Sequence, residues 1–309
     1  MISAFCHCRI VIPAKAGIQL SVLKFLDSRL RGNDEEGEAT LQKHRADFEV
    51  EHVAADDFKI ALPALNLLRD RMHVTEAALE RTRLEDRGRD SLHPDTVAGF
   101  DEYGAGKYQQ AVALWLRRAE ANDAEAQFWL ARMYDFGHGV RENSGIANEW
   151  YERSVNLGNP KAMYNLAYVY SDGEGVERDP TAAFRLWQRA ANLGLARAQY
   201  SLARTFLKGL GVTENPGAAA FWYKKAASQG HIWALGMLAN AYLLGDGIER
   251  DLEQALKYDH IAARLGNPRV RLTMAITFLL TSQEQRERAK RRGDAWLKEF
   301  RDSGRSAIR

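Results

Sequence analysis

Three histidines in the regular part of the chain, His138, His231 and His260, and a Cys6-His7-Cys8 triplet near its start are the residues whose types could do chemistry. Histidine suits proton transfer or metal binding, and a thiolate suits nucleophilic attack or zinc. Their spacing argues against both. Cys6 and Cys8 are the two cysteines of the chain, and one residue apart they lack the spacing and the further ligands of a tetrahedral zinc site. Outside the regular part, they cannot supply a disulfide framework for it. The three histidines sit at different phases of the chain's period and are expected as surface or partly buried side chains, not a convergent catalytic set. No Gly-Lys-Ser/Thr phosphate loop or Gly-x-Ser-x-Gly elbow occurs, and the Gly-x-Gly pairs follow helices, not strands, so a dinucleotide site is not expected. The reading is of a chain with no catalytic residues, no cofactor and no metal.

Two other groups invite a ligand. Trp150, Tyr151, Trp187, Trp222 and Tyr223 could form an aromatic cage, but their helical spacing makes them core. The run Arg286–Arg292 is basic, yet Glu287 interrupts it and Glu284 precedes it, as on a solvated cap helix. The whole chain of 309 residues has 43 Lys plus Arg against 41 Asp plus Glu, a net charge of +2 that gives no field to gather nucleic acid or anionic lipid. Apolar runs at Ile10–Ile12 and Leu20–Leu26 fall short of the roughly 20 residues that span a bilayer, and neither Met1 nor Met72 opens a signal peptide. The expected location is the cytoplasm, or the periplasm if translation starts elsewhere.

The elements that carry these residues follow from a period. Gly137, Gly173, Gly209 and Gly245 are 36 residues apart, and so are Gly139, Gly175, Gly211 and Gly247. Gly158, Gly194, Gly230 and Gly266 keep the same step, as do Leu130, Leu166, Leu202 and Leu238 with the alanines beside them. A fixed period marks a solenoid. Ala126, Leu130, Ala131 and Tyr134 fall on one face of a first helix that stops at Gly137. Asn143, Asp179, Asn215 and Asp251 stand where an N-cap is wanted, with Pro180 and Pro216 at the first helical position. Ala147, Trp150, Tyr151, Ser154 and Val155 then give the buried face of a second helix. The predicted fold is all-α, a right-handed α-α superhelical solenoid of helix-turn-helix repeats, with units at 123–158, 159–194, 195–230 and 231–266. An incomplete unit is expected at 99–122, and capping helices with a tail at 267–309.

Ahead of the repeats, residues 1–37 show no period and are expected to be disordered; they resemble the translation product of a dispersed intergenic DNA repeat of bacteria. Residues 38–98 read as a helical N-terminal region, with helices near Thr40–Val50 and Thr75–Arg87.

The columns resemble Sel1-like repeats, relatives of the tetratricopeptide repeat, whose units look like A-x-x-x-L-A-x-x-Y-x-x-G-x-G-V followed by D-x-x-x-A-x-x-W-Y-x-x-A-A-x-x-G. The unit holding Ala198, Leu202, Ala203, Phe206, Gly209, Gly211, Val212, Ala219, Trp222, Tyr223, Ala226, Ala227 and Gly230 matches nearly throughout. Leu186-Trp187 reads as a shifted Trp-Tyr pair, and Tyr258-Asp259 replaces the pair in the last full unit. The cysteine pair that some secreted relatives carry in each repeat is missing. The resemblance implies a non-catalytic adaptor that binds a protein or peptide partner, in a bacterial signalling or envelope-related assembly. The alternatives are a regulator that uses residues 38–98 as effector or self-inhibitor and, further off, a hydrolase. Neither nucleic acid nor membrane insertion is expected, and the oligomeric state stays open.

First helices of such a stack line its concave side. Seven residues there, left over from the packing positions, form the candidate protein-binding set: Trp129, Arg132, Asn165, Tyr168, Ser201, Arg204 and Asn240. They vary from unit to unit. The set is either a groove for a protein segment, with Trp129 as its aromatic anchor, or a row of merely solvent-facing residues.

Overall fold

Thirteen-residue helices joined by two kinds of turn fill most of residues 92–308, the part of the chain that the computed structural model describes. The segment 1–37 and the expected helices at Thr40–Val50 and Thr75–Arg87 lie outside the described residues. A leading hairpin consists of α1 (Pro94–Gly104) and α2 (Tyr108–Glu120), and so begins ahead of the expected Gly99. Four repeats follow: α3 (Ala124–Phe136) with α4 (Ser144–Asn156), α5 (Pro160–Asp172) with α6 (Pro180–Asn192), α7 (Ala196–Lys208) with α8 (Pro216–Ser228), and α9 (Ile232–Leu244) with α10 (Leu252–Arg264). A 3-10 turn, Pro268–Val270, leads into α11 (Arg271–Leu279) and the long α12 (Gln283–Asp302). Each helix packs on its hairpin partner and on the next hairpin, and the described residues contain no strand. The fold is an all-helical solenoid. None of the described helices is long and apolar enough to cross a membrane.

Local chemistry explains the regularity. Every second helix of a repeat starts on a side-chain cap: Asn143 accepts from the Ile146 amide, Asp179 from Thr181 and Ala182, Asn215 from Ala218, and Asp251 from Gln254. The first helices end on left-handed glycines at 137, 173, 209 and 245. The turn then closes with one recurring bond, in which the amide of the next cap donates to a carbonyl nine residues back, as in Asn215 to Phe206 at 2.8 Å.

In three of the four turns the second glycine, Gly139, Gly211 or Gly247, does more than turn. A Cβ on Gly211 would sit 2.1 Å from the Pro180 carbonyl oxygen, and one on Gly247 the same distance from Pro216. These glycines let the turn of one repeat rest against the start of the previous repeat's second helix. Asparagine forms a second seam. Asn159 caps α5 with its Oδ1 and donates its Nδ2 to the Ala124 carbonyl, and Asn267 repeats the arrangement toward Ile232 at 2.8 Å. Trp187 occupies the same column as Tyr151 and Tyr223, 36 residues from each, and is buried like them. The Trp-Tyr pair is therefore not shifted: Leu186 replaces the outer Trp and Trp187 the inner Tyr.

The last unit departs from the pattern. α12 lies along α10 and not on α11, held by Glu253, which accepts from Arg288 and Arg292 at 3.0 Å each. Burial opposes ionisation of Glu253, but the two arginines hold its carboxyl below the usual range. Arg286 caps the Phe278 and Thr281 carbonyls. The basic run thus clamps the cap helix down instead of forming only a solvated face. Beyond α12 the chain returns to the turn between α8 and α9, where the Ile308 amide donates to the Gly230 carbonyl and the Ile232 amide to the Ile308 carbonyl.

Candidate protein-binding face

The first helices present three columns of 36-residue period at positions i, i+3 and i+7. The first is Glu125, Lys161, Arg197, Trp233 and Arg269; the second Phe128, Tyr164, Tyr200 and Gly236; the third Arg132, Tyr168, Arg204 and Asn240. Helical spacing puts the three on one stripe. Neighbours within a column interact across repeats, as where the Lys161 ammonium meets Glu125 at 2.8 Å and the Arg269 guanidinium lies 4.8 Å from the Trp233 ring centre.

The seven candidate residues divide on this frame. Trp129 is 1% exposed, enclosed by Phe100, Tyr103, Trp115 and Phe128 at ring distances of 5.2 to 5.9 Å, and its Nε1 donates to Glu125. It is core, because the leading hairpin supplies rings that fill the space beside it. Arg132 is 6% exposed and lies over the Trp129 ring at 4.8 Å, with Phe128 and Phe136 close by. Asn165 donates to the Tyr151 hydroxyl, which in turn donates to Asp135, so it serves inter-helix packing. Burial and the Asp135 carboxylate raise the Tyr151 hydroxyl pKa far above its ordinary value, keeping it a neutral donor. Tyr168 and the buried Ser201 share a 2.9 Å hydrogen bond between repeats. Arg204 is exposed, and half-buried Asn240 borders a shallow cleft with Leu207, Tyr223 and Met237.

The structure therefore keeps Arg204, Asn240 and the half-buried Tyr168 at the face and draws Trp129, Arg132 and Ser201 inward. Sequence reasoning missed Lys161, Arg197, Tyr200, Trp233 and Arg269. The signal was available, since their columns obey the same 36-residue step as the glycines. They escaped notice because a column whose residue type changes does not look like a repeat.

The histidines are scattered. His231 is 2% exposed, caps α9 by accepting from the Ala234 amide, and stacks on Tyr200. Burial, aided by Arg197, lowers its pKa to about 4. His138 stacks on Tyr108, and His260 pairs with Asp294 at 2.8 Å. Among the described residues no three His, Cys, Asp or Glu side chains gather as metal ligands. The Cys6-His7-Cys8 triplet lies outside those residues.

Four stretches, residues 124–159, 160–195, 196–231 and 233–267, match the family model described as the Sel1 repeat. Among solved structures the chain is similar to a Sel1 repeat protein from Oxalobacter formigenes, with 27% identity and a TM-score of 0.57 over 67% of this chain and 84% of that one. It is also similar to a protective antigen present in uropathogenic Escherichia coli strains, with 25% identity and a TM-score of 0.47 over 68% and 54%. An immunity protein from Pseudomonas aeruginosa shows a weaker likeness of fold, 21% identical with a TM-score of 0.42 over 71% and 86%. No curated protein sequence matches the chain significantly. The four matched stretches coincide with the hairpins from α3 to α10, so residues 124–267 of the chain carry tandem Sel1 repeats.

Proposed function

We propose that the protein is a non-catalytic adaptor, which binds a segment of a protein partner on its first-helix face in a bacterial signalling or envelope-related assembly. One observation carries this reading. Residues that recur between repeats are taken up by caps, turns and seams, whereas the stripe through Tyr168, Arg204 and Asn240 changes from unit to unit and stays accessible. A regular scaffold with a variable stripe is how repeat proteins make extended binding surfaces. The Sel1 repeats themselves support protein binding by family likeness. The test is site-specific photo-crosslinking of the full chain in bacterial cells. Probes at Arg204 and Asn240 are expected to capture a partner that a probe at Lys224, exposed on α8, does not. Equal capture from both faces, or capture from Lys224 alone, would overturn the reading.

A further inference from the structure

Charge on the first-helix face is segregated along the stack. α3 and α5 mix signs, with Glu125 and Asp135 beside Arg132 and Lys161. From α7 onward the mixture ends. α7 carries Arg197, Arg204 and Lys208 with no carboxylate, α9 carries no charged residue, and the 3-10 turn and α11 add Arg269 and Arg271 with no carboxylate. The acids of these units lie on the turns and second helices, as do Glu214, Glu249 and Asp251, with Asp246 at the cleft that Asn240 borders. In a chain of net charge +2, this is a basic patch made by placement and not by composition.

The cations there are held ready. Arg204 and Arg269 are exposed, and neither forms an ion pair among the described residues. Arg204 lies 5.9 Å from the Tyr200 ring centre and Arg269 4.8 Å from that of Trp233. Stacking on a ring fixes a guanidinium without using up its N–H donors, which stay free for a carboxylate. First helices of neighbouring repeats stand roughly 10 Å apart, so the stretch from α7 to the 3-10 turn spans about 20 Å, or about six residues of extended chain.

We propose that the face of α7, α9 and residues 268–279 binds an acidic segment of a protein partner, with Arg204 and Arg269 taking its carboxylates and the Trp233 edge packing between them. This rests on the adaptor reading and adds the partner's chemistry. Nucleic acid fits less well, because a phosphate backbone asks for a longer basic track, and Arg269 already covers the Trp233 ring on which a base would stack.

The experiment measures binding of the full chain to three fluorescent probes: a ten-residue peptide alternating Glu and Leu, the same peptide with Gln for Glu, and a ten-nucleotide oligothymidylate. The Glu peptide is expected to bind and to weaken as salt rises, and the Gln peptide to bind at least tenfold more weakly. The double variant Arg204→Gln/Arg269→Gln should lose about tenfold in affinity for the Glu peptide, while Lys224→Gln should leave it unchanged. Equal binding of the Glu and Gln peptides, an unaffected double variant, or tighter binding of the oligothymidylate would overturn the proposal. Competition with the crosslinked partner separates the two readings. A partner whose capture at Asn240 is not reduced by Glu peptide present before irradiation removes the acidic-segment inference and leaves the adaptor, whereas no capture at Arg204 and Asn240 removes both.

Discussion

Gly175 and Gly211 hold the same place in successive turns, with φ of 74° and 70°, yet their surroundings differ. A Cβ on Gly175 would meet Asn148 at 3.4 Å and Ser144 at 3.5 Å, while one on Gly211 would strike the Pro180 backbone. The pair separates the conformational cost of a left-handed residue from the cost of a blocked seam. Gly175→Ala is expected to cost about 1 kcal/mol, and Gly211→Ala a further 1–3 kcal/mol or so for forcing backbone apart, read from urea midpoints. Two titrating groups in the last repeat add a pH dependence. Folded His231 takes its proton only near pH 4, against 6.5 for its ordinary value, so the unfolded state holds the extra proton and stability falls as pH drops through that window. Asp259 is buried with its Oδ2 lacking a donor among the described residues, and burial raises its pKa to about 8 against an ordinary 3.8, so stability falls as pH rises between those values. From about pH 4 to 6.5 the two slopes oppose each other. Asp259→Asn keeps the neutral shape and should be more stable than the parent at pH 8, by a few kcal/mol in order of magnitude, with the advantage vanishing toward pH 4. A stability difference independent of pH would refute the assignment.

At the scale of elements, most of the scaffold was legible in the sequence. Asn143, Asp179, Asn215 and Asp251 cap the helices where local chemistry placed them. A cap, a turn glycine and a stripe of alanines act within a few residues of themselves, and so can be read from a linear string. Seams cannot. The bond from Asn159 to Ala124 and the contact of Gly211 with Pro180 join residues more than thirty apart, and depend on how one hairpin settles on another. Trp129 was misplaced for the same reason, since the rings that bury it, Phe100 and Trp115, stand on the leading hairpin. The cap helix offers a test at this scale. Phe300 is 3% exposed, lies against Gly230 and stacks on Trp296 at 4.9 Å. Phe300→Ala should cost about 3 kcal/mol and speed hydrogen exchange at the Ile232 amide, whose acceptor is the Ile308 carbonyl. Unchanged exchange there would show that the return of the chain does not depend on α12.

Over the whole molecule, stability is expected to follow a chain of neighbours, since each hairpin rests on the ones before and after it. Gly211→Ala should therefore open the stack at the seam between α6 and α7. Hydrogen exchange is expected to rise in α7 to α10 while α1 to α4 stay protected behind their aromatic core of Phe100, Trp115 and Trp129. Uniform loss of protection would mean the stack melts as one body. The candidate face was only partly legible at this scale, because a patch of like charge exists in the placement of Arg204 and Arg269 on elements without carboxylates and not in any one motif. The return of residue 308 to the turn before α9 also changes how the molecule would carry a load. The two backbone bonds at Gly230 and Ile232 form a closed circuit through α9, α10, α11 and α12. Tension applied through Ile308 is borne first by that clasp, at the joint between the third and fourth repeats, and reaches α12 only after the clasp has parted.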